Sequence, residues 1–255
     1  MELSNRQKQI LGELIKEYVK RAEPVSSNFL VEKCGFDCSP ATIRAEMLNL
    51  EQEGFLAQPH TSAGRVPTDK AYRYFVDHLL KDKESNLPEK DRKAIDKTIE
   101  NAPKNPHAMS SGLAKTMANL TNDLVISGIR DTDEFYRMGF ANIFELPESD
   151  EVENIFGSGS IFDQFENYFG QLFQQWPALN RRGEPDRDVV VYIGRENLAV
   201  GDPERDTVNE AVIITHYPLP KGYEGISAVI GPMRMAYDRN MAMLRYVAKK
   251  MGELE

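Results

Sequence analysis

Apolar and polar positions alternate along the first third of the chain with the period of amphipathic helices. Apolar side chains recur three and four residues apart between positions 10 and 22, which predicts a first helix that Pro24 ends. Ser4 is expected to cap this helix, with Gln7 as its capping-box partner. A shorter apolar pattern after Ser26 predicts a second helix. The pattern therefore begins with two successive helices that present apolar side chains inward.

The third predicted helix, from Pro40 to Glu53, has two faces of different chemistry. Ser39 is its predicted N-cap, and proline occupies the first helical position. Ile43, Met47 and Leu50 recur at helical spacing and are expected to pack inward. The residues predicted to face away are small or able to hydrogen-bond: Ala41, Thr42, Arg44, Ala45 and Asn49. A helix that begins with such slim side chains and one arginine fits a DNA major groove, where Thr42 and Arg44 would contact bases.

A short hairpin is predicted after the third helix. Phe55–Gln58 and Val66 are expected to form its strands, and Thr68 caps a fourth helix. Between the strands lies the stretch PHTSAGRVPT, which has too few apolar groups to join a core. Helix, helix, turn, helix and hairpin is the layout of a winged helix-turn-helix domain. The residues predicted to contact phosphates or the minor groove lie on the hairpin tip, here called the wing, and on the fourth helix: His60, Thr61, Ser62, Gly64, Arg65, Lys70 and Arg73.

Two stretches of the sequence resemble a known family. EPVSSNFLVEK followed by SPATIRAEMLNLEQEGFLAQPHTSAGRVPTDKAYRYFVD, and IGPMRMAYDRNMAMLRYVA near the other end, are similar to the heat-inducible transcription repressors called HrcA. The resemblance is dense over the first 80 residues and from Gly225 to Met251. It implies a homodimer that binds an inverted-repeat operator in double-stranded DNA before chaperone genes. It also implies that a GroEL-type chaperonin keeps the repressor competent.

The sequence departs from that family at position 45 of the predicted recognition helix. The family usually has asparagine there, whereas this chain has Ala45. Asparagine pairs with adenine through two hydrogen bonds, so its absence would cost about 1–3 kcal/mol at one base pair or shift the operator preference. The chain is also shorter than typical members, which indicates a reduced dimerisation segment.

A charged segment, residues 81–107, predicts a helical linker between the winged-helix domain of residues 1–80 and a second domain of residues 108–255. In that second domain, a helix from Ala108 to Asn122 precedes several β-branched runs bounded by turn residues. The predicted strands are Leu124–Ile129, Phe135–Ile143, Val189–Gly194, Glu210–Tyr217 and Gly225–Gly231. This pattern predicts an α+β domain with a mainly antiparallel sheet, and the resemblance implies a GAF-like fold.

Two further helices, Ile161–Gln175 and Tyr237–Met251, are expected to cover one face of this sheet. The aromatic segment Phe162–Trp176 is interpreted as core, with burial against a second subunit as the alternative. Because GAF-like domains often house small-molecule sensors, a ligand-responsive winged-helix regulator is the alternative function.

The charge distribution is compatible with DNA binding although the net charge is -9. Residues 1–80 contain 10 Lys+Arg and 11 Asp+Glu, so nearly all of the acidity lies in the remainder of the chain. A nearly neutral module can gather cations on one face. The chain has only two cysteines, and no apolar run approaches the roughly 18 residues needed to cross a bilayer. These features predict a cytoplasmic protein with no membrane partner.

Other chemistry has little support in the sequence. The four histidines stand without a recognisable nucleophile, and Gly157-Ser158-Gly159 lacks the lysine and spacing of a phosphate loop. Cys34 and Cys38 have no second pair, so a core and a turn cysteine are predicted rather than a metal or redox site. No enzyme activity, cofactor or metal is therefore expected. An interaction module without DNA affinity is the third interpretation of the chain.

Overall fold

The computed structural model describes residues 3–60, 63–80, 87–102, 104–130, 132, 134–144, 189–199 and 210–254. The chain divides into two compact units, Met1–Glu84 with Met233–Ala236 and Ser85–Pro232 with Tyr237–Glu255. Across the described ranges, no helix combines the length and the apolar character needed to cross a membrane. The aromatic segment Phe162–Trp176 and the predicted helix Ile161–Gln175 lie outside the described residues.

The first unit has the predicted winged-helix layout. Its elements are, in order, α1 (Asn5–Arg21), α2 (Ser27–Cys34), α3 (Pro40–Gln52), β1 (Leu56–Ala57), β2 (Val66–Pro67) and α4 (Asp69–Tyr74), which continues as a π-helical turn through Phe75–Leu79. The two strands are antiparallel, with Leu56 opposite Pro67 and Ala57 opposite Val66. The predicted capping box is confirmed, since the Gln7 amide donates to Ser4 Oγ and the Ser4 amide donates to Gln7 Oε1.

The core of the first unit is formed by the apolar stripes that the helical spacing predicts. Ile10, Leu11, Leu14 and Ile15 of α1 are fully buried. They share the core with buried side chains from the other elements of the unit: Leu30, Ile43, Leu50, Leu56 and Tyr72. Burial of such side chains stabilises the fold by about 1.5–3 kcal/mol each, which holds three short helices that would not be stable alone.

The second unit is an α+β structure with one antiparallel sheet. Its elements are α5 (Glu89–Asn101), α6 (Pro106–Thr121), β3 (Leu124–Ile129), β4 (Phe135–Met138), α7 (Phe140–Phe144), β5 (Val189–Ile193), a 3₁₀ segment (Gly194–Ala199), β6 (Glu210–Leu219), a 3₁₀ turn (Pro220–Gly222), β7 (Tyr223–Pro232) and α8 (Tyr237–Gly252). The strand order is β4-β3-β7-β6-β5, and every neighbouring pair is antiparallel. The predicted mainly antiparallel sheet is therefore confirmed, while the GAF-like designation stays a prediction.

The predicted strand from Phe135 to Ile143 is wrong in its second half. The strand ends at Met138, and the next residues form the short helix α7. Gly139 has a φ of +82°, a left-handed conformation that interrupts an extended chain. A Cβ at this glycine would lie 2.3 Å from the Asp123 carbonyl oxygen, so the bend also needs a residue without a side chain.

Helix α5, which the charge pattern assigned to a linker, lies within the second unit. Ile95 is fully buried, and Asp91 is buried beside Arg239 of α8. The guanidinium donates from Nε and Nη2 to Asp91 Oδ2 over 2.9 and 2.8 Å. The Tyr246 hydroxyl of α8 donates to the Asp96 carboxylate. Two acidic side chains of this charged helix therefore bind α8, in addition to those that face solvent.

Candidate nucleic-acid interface

The start of α3 is fixed by a local network of hydroxyl groups. Gly35, with a φ of +69°, ends α2 in the left-handed conformation and lets the chain turn. Ser39 then caps α3 by accepting a hydrogen bond from the Thr42 amide over 3.2 Å, and Pro40 takes the first helical position. The Ser39 and Thr42 hydroxyl groups are 3.0 Å apart and hydrogen-bonded. Thr42 therefore has a partner at the helix end in the absence of DNA.

The two faces of α3 separate as the helical spacing predicts. Ile43, Met47 and Leu50 are buried, which confirms the inner face. The predicted outer residues Ala41, Arg44, Ala45 and Asn49 are exposed. Thr42 lies at the flank and is half-buried.

Arg44 is exposed near the start of this outer face. Within the described part of the chain, its guanidinium has no hydrogen bond and no ion pair. The other cations of the first unit are mostly engaged, as in the pairs Arg6–Glu46 and Lys20–Glu17. Among the lysine and arginine side chains that the structure describes in that unit, only those of Arg44 and Lys33 have no hydrogen bond, ion pair or ring contact. The guanidinium of Arg44 is therefore available to an external acceptor without breaking an existing contact.

Arg65 of the wing has a partner inside the protein. Its Nε and Nη2 donate to Glu51 Oε2 over 2.9 and 2.8 Å. The side chain is 15% exposed, and the Arg65 backbone pairs with Val25 through two 2.9 Å hydrogen bonds. To contact a phosphate, the Arg65 guanidinium would have to bind it together with the Glu51 carboxylate or give up its hydrogen bonds to Glu51. In the structure, Arg65 joins the wing to α3 and to the segment between α1 and α2.

The other predicted wing residues have different positions. Gly64 lies so close to Val25 that a Cβ there would be 2.4 Å from the Val25 carbonyl oxygen, so its close approach is to the protein's own backbone. His60 is exposed. Thr61 and Ser62 lie outside the described residues.

Lys70 and Arg73 of α4 also have partners within the first unit. Lys70 Nζ donates to the Glu53 carbonyl oxygen over 2.6 Å and lies 4.3 Å from the centre of the Phe55 ring. It therefore satisfies a carbonyl at the C-terminal end of α3. Arg73 forms an ion pair with Asp77 one turn later, over 3.1 Å. Both cations stabilise the unit before any DNA is present.

Leu48 is a residue of the outer face that the sequence reasoning missed. Its side chain is 46% exposed, whereas the apolar residues on either side of it, Met47 and Leu50, are buried. The signal was present in the sequence, since position 48 lies three residues after Ala45 and four after Arg44. An apolar residue at that spacing does not belong to the inner face.

Cys34 and Cys38 are both free thiols. Burial raises the pKa of the Cys34 thiol, and the carboxylates of Glu13 and Glu17 raise it further. The thiol is therefore protonated at neutral pH, which disfavours metal binding and oxidation. In the described ranges, no three histidine, cysteine, aspartate or glutamate side chains are grouped so that they could hold a metal ion.

These features define the class of protein. A capped recognition helix with an exposed arginine, a two-stranded wing and an appended antiparallel α+β unit belong to a winged helix-turn-helix DNA-binding protein. The family model for the winged helix-turn-helix transcription repressor HrcA, DNA-binding, matches residues 2–79. The model for the HrcA protein C terminal domain matches residues 69–241. The chain belongs to the HrcA family.

Individual relatives support this membership. A heat-inducible transcription repressor HrcA from Desulfitobacterium hafniense is 35% identical over 100% of this chain and 98% of its own length. The repressor of the same name from Natranaerobius thermophilus is 58% identical over 80 residues, which are 31% of this chain and 23% of that protein. The match to the Natranaerobius protein thus spans about a quarter of that protein's length.

One solved structure shares the fold. The crystal structure of a hypothetical protein covers 99% of this chain and 98% of its own, with a TM-score of 0.74 and 19% sequence identity. At that identity the likeness supports the fold alone.

Proposed function

We propose that this protein is a sequence-specific DNA-binding repressor of heat-shock (chaperone) genes, and that it binds an inverted-repeat operator as a homodimer. One observation carries the proposal: Arg44 lies exposed on the outer face of a capped helix with small side chains, and no described residue pairs with its guanidinium. An arginine in that position can donate two hydrogen bonds to the O6 and N7 atoms of guanine. The winged-helix class and the HrcA family supply the kind of partner.

The contacts divide into base readout and positioning. Arg44 reads a base edge, and the small side chains of Ala41 and Ala45 let the helix backbone approach the groove. Ser39 and Pro40 set the N-terminal end of α3 near a phosphate, where the helix dipole favours an anion, and Thr42 reads a base beside Arg44. In this proposal His60, which is exposed, contacts the neighbouring phosphate backbone or the minor groove, and the same contact is proposed for Thr61 and Ser62 from the sequence alone.

Four further predicted residues act first within the protein. Gly64 lets the wing lie against Val25, and Arg65 ties the wing to α3 through Glu51. Lys70 holds the end of α3, and Arg73 joins the end of α4 to the π-helical turn through Asp77. We propose that their main contribution to DNA affinity is to fix the wing and the recognition helix in one relative position. Any phosphate contact they make comes in addition to these partners.

The shortage of available cations supports the proposed homodimer. With so few unpartnered cations in the described part of the first unit, a single copy gains little from phosphate neutralisation. Two copies related by a two-fold axis would bind two half-sites separated by about one helical turn, roughly 34–36 Å, or a multiple of it. Light scattering on the operator complex measures the stoichiometry, and a persistent monomer would contradict this part of the proposal.

The cellular setting comes from the family. We place the repressor in the cytoplasm, without catalytic activity, and propose a GroEL-type chaperonin as the partner that keeps it competent for DNA binding. Heating the purified protein and assaying operator binding with and without chaperonin tests this. Full recovery of binding without chaperonin would contradict the dependence.

Selection of bound duplexes from a random pool tests the DNA-binding proposal directly. The expected result is an inverted repeat, and in the Arg44→Ala variant one position of each half-site should lose its preference, by about 1–3 kcal/mol. Lys33→Ala is the matched control, because Lys33 lies on α2 and is the other cation of the first unit without a partner among the described residues. It should leave the selected sequence unchanged. Enrichment of no sequence, or identical preferences for Arg44→Ala and the parent, would refute the proposal.

A further inference from the structure

The inference concerns an apolar stripe on the outer face of α3. Leu48 is one of three large apolar side chains that are exposed among the described residues, and the only one of the three on α3. Exposed leucine is common on protein surfaces, so exposure alone says little. What distinguishes Leu48 is its surroundings, because it lies beside the unpartnered Arg44 on a face whose other members include Ala41 and Ala45.

Helical geometry brings these residues together. At 3.6 residues per turn, Ala41, Ala45 and Leu48 fall within about 60° of one another around the helix axis, and Arg44 lies about 40° from Leu48. From Ala41 to Leu48 the rise along the axis is about 10.5 Å. That length corresponds to about three base pairs of B-form DNA, at 3.4 Å for each base pair. The stripe therefore spans the same bases as Arg44 and its immediate neighbours.

The chemistry of the major groove gives the stripe one specific counterpart. Each base pair presents hydrogen-bond donors and acceptors there, and thymine alone adds an apolar group, its C5-methyl. An arginine recognises guanine, whereas an apolar side chain gains contact with the thymine methyl. Ala41 and Ala45 end at Cβ, whereas Leu48 extends further from the helix axis, so Leu48 is the side chain of the stripe that reaches a methyl lying beyond contact with the two alanines.

We propose that Leu48 is a specificity-determining residue that contacts a thymine C5-methyl group in the operator, close to the base pair recognised by Arg44. The inference rests on the proposed DNA-binding function and deepens it. Occupation by DNA follows from continuity with the recognition face, because Leu48 and Arg44 are four residues apart on one side of α3. Operator half-sites should accordingly contain a thymine that uracil cannot replace without loss.

Replacing thymine by deoxyuridine tests the contact, since the two bases differ only in the C5-methyl group. The probe is the duplex selected from the random pool, with one thymine replaced at a time in both half-sites. For the parent protein, uracil at one position is expected to weaken binding about fourfold per half-site, the effect of one methyl group left unburied. For Leu48→Ala, the same thymine and uracil duplexes should bind equally.

Controls separate this inference from the proposed function. Asn49→Ala, on the neighbouring position of the same helix, should keep the uracil effect of the parent. The melting temperature of Leu48→Ala should match that of the parent, because the side chain is half-exposed. If the parent selects an operator but no thymine-to-uracil replacement weakens its binding, the role of Leu48 alone is overturned. The same holds if uracil weakens binding equally for the parent and for Leu48→Ala. A parent that selects no sequence overturns the DNA-binding proposal and the role of Leu48 with it.

Discussion

The ion pair between Arg65 and Glu51 allows two roles of Arg65 to be distinguished by experiment. In one role the guanidinium contacts a DNA phosphate directly, and in the other it holds the wing against α3. The structure places Nε and Nη2 of Arg65 at 2.9 and 2.8 Å from Glu51 Oε2, with side-chain exposures of 15% and 27%. Replacing each partner in turn predicts different results for the two roles.

The stability effect follows from the geometry of the pair. Glu51→Ala removes the acceptor of two charge-assisted hydrogen bonds and leaves a largely buried guanidinium without its partner. A hydrogen bond to a charged group is worth about 1.5–3 kcal/mol, and loss of a fully buried ion-pair partner costs about 3–5 kcal/mol. Because water can reach part of this pair, we expect the free energy of unfolding to fall by about 1–3 kcal/mol for either Glu51→Ala or Arg65→Ala.

DNA binding at several salt concentrations then separates the roles. If Arg65 holds the wing, both variants bind the selected operator more weakly, although Glu51→Ala removes a negative charge. The slope of log K against log salt concentration stays that of the parent. If Arg65 instead contacts a phosphate, Arg65→Ala makes this negative slope shallower by about 0.9, and Glu51→Ala binds as tightly as the parent or more tightly. Fluorescence anisotropy with labelled operator measures both quantities.

A matched control removes the same charge elsewhere. Glu13 of α1 forms an ion pair with Lys16 on a more exposed surface, so Glu13→Ala should change stability by less than about 1 kcal/mol and leave operator affinity unchanged. The wing-anchoring role would be refuted by a Glu51→Ala variant of parental stability that binds operator more tightly.

The remaining predictions concern other contacts. Arg239→Ala leaves the buried carboxylate of Asp91 without its partner and should lower the free energy of unfolding by about 3 kcal/mol. Asp91→Asn should lower it less, because the half-exposed guanidinium of Arg239 can then be solvated. Urea unfolding measures both changes. Gly64→Ala brings a Cβ to 2.4 Å from the Val25 carbonyl oxygen and should destabilise the first unit by about 1–3 kcal/mol, whereas Gly12→Ala in α1, where the nearest atom is 3.5 Å away, should be tolerated. Because the pKa of the Cys34 thiol is raised, its thiolate fraction at neutral pH is low. In a Cys38→Ser variant, alkylation of Cys34, followed by mass spectrometry, should be slower than that of an ordinary thiol and should accelerate as the pH rises. Rapid alkylation of Cys34 at pH 7 would contradict this.

The sequence by itself determined the features that depend on neighbouring residues. The capping box of Ser4 and Gln7, the Ser39 cap and the buried stripe of α3 all join residues a few positions apart. Contacts over so few positions depend only on residue type and spacing along one helix, so the sequence pattern predicted them. The same reasoning predicted the antiparallel second unit, because β-branched runs and turn residues give a local signal for strands.

Only the tertiary structure decided which polar groups are already occupied. Arg65 pairs with Glu51, 14 positions away, and Lys70 reaches the Glu53 carbonyl, 17 positions away. Asp91 meets Arg239 across 148 positions. No periodic pattern predicts such partners, because a charged side chain looks the same in the sequence whether it is solvated, paired internally or left for DNA. Folding distinguishes these cases by bringing distant segments together, and it left Arg44 available while engaging the cations of the wing base and α4.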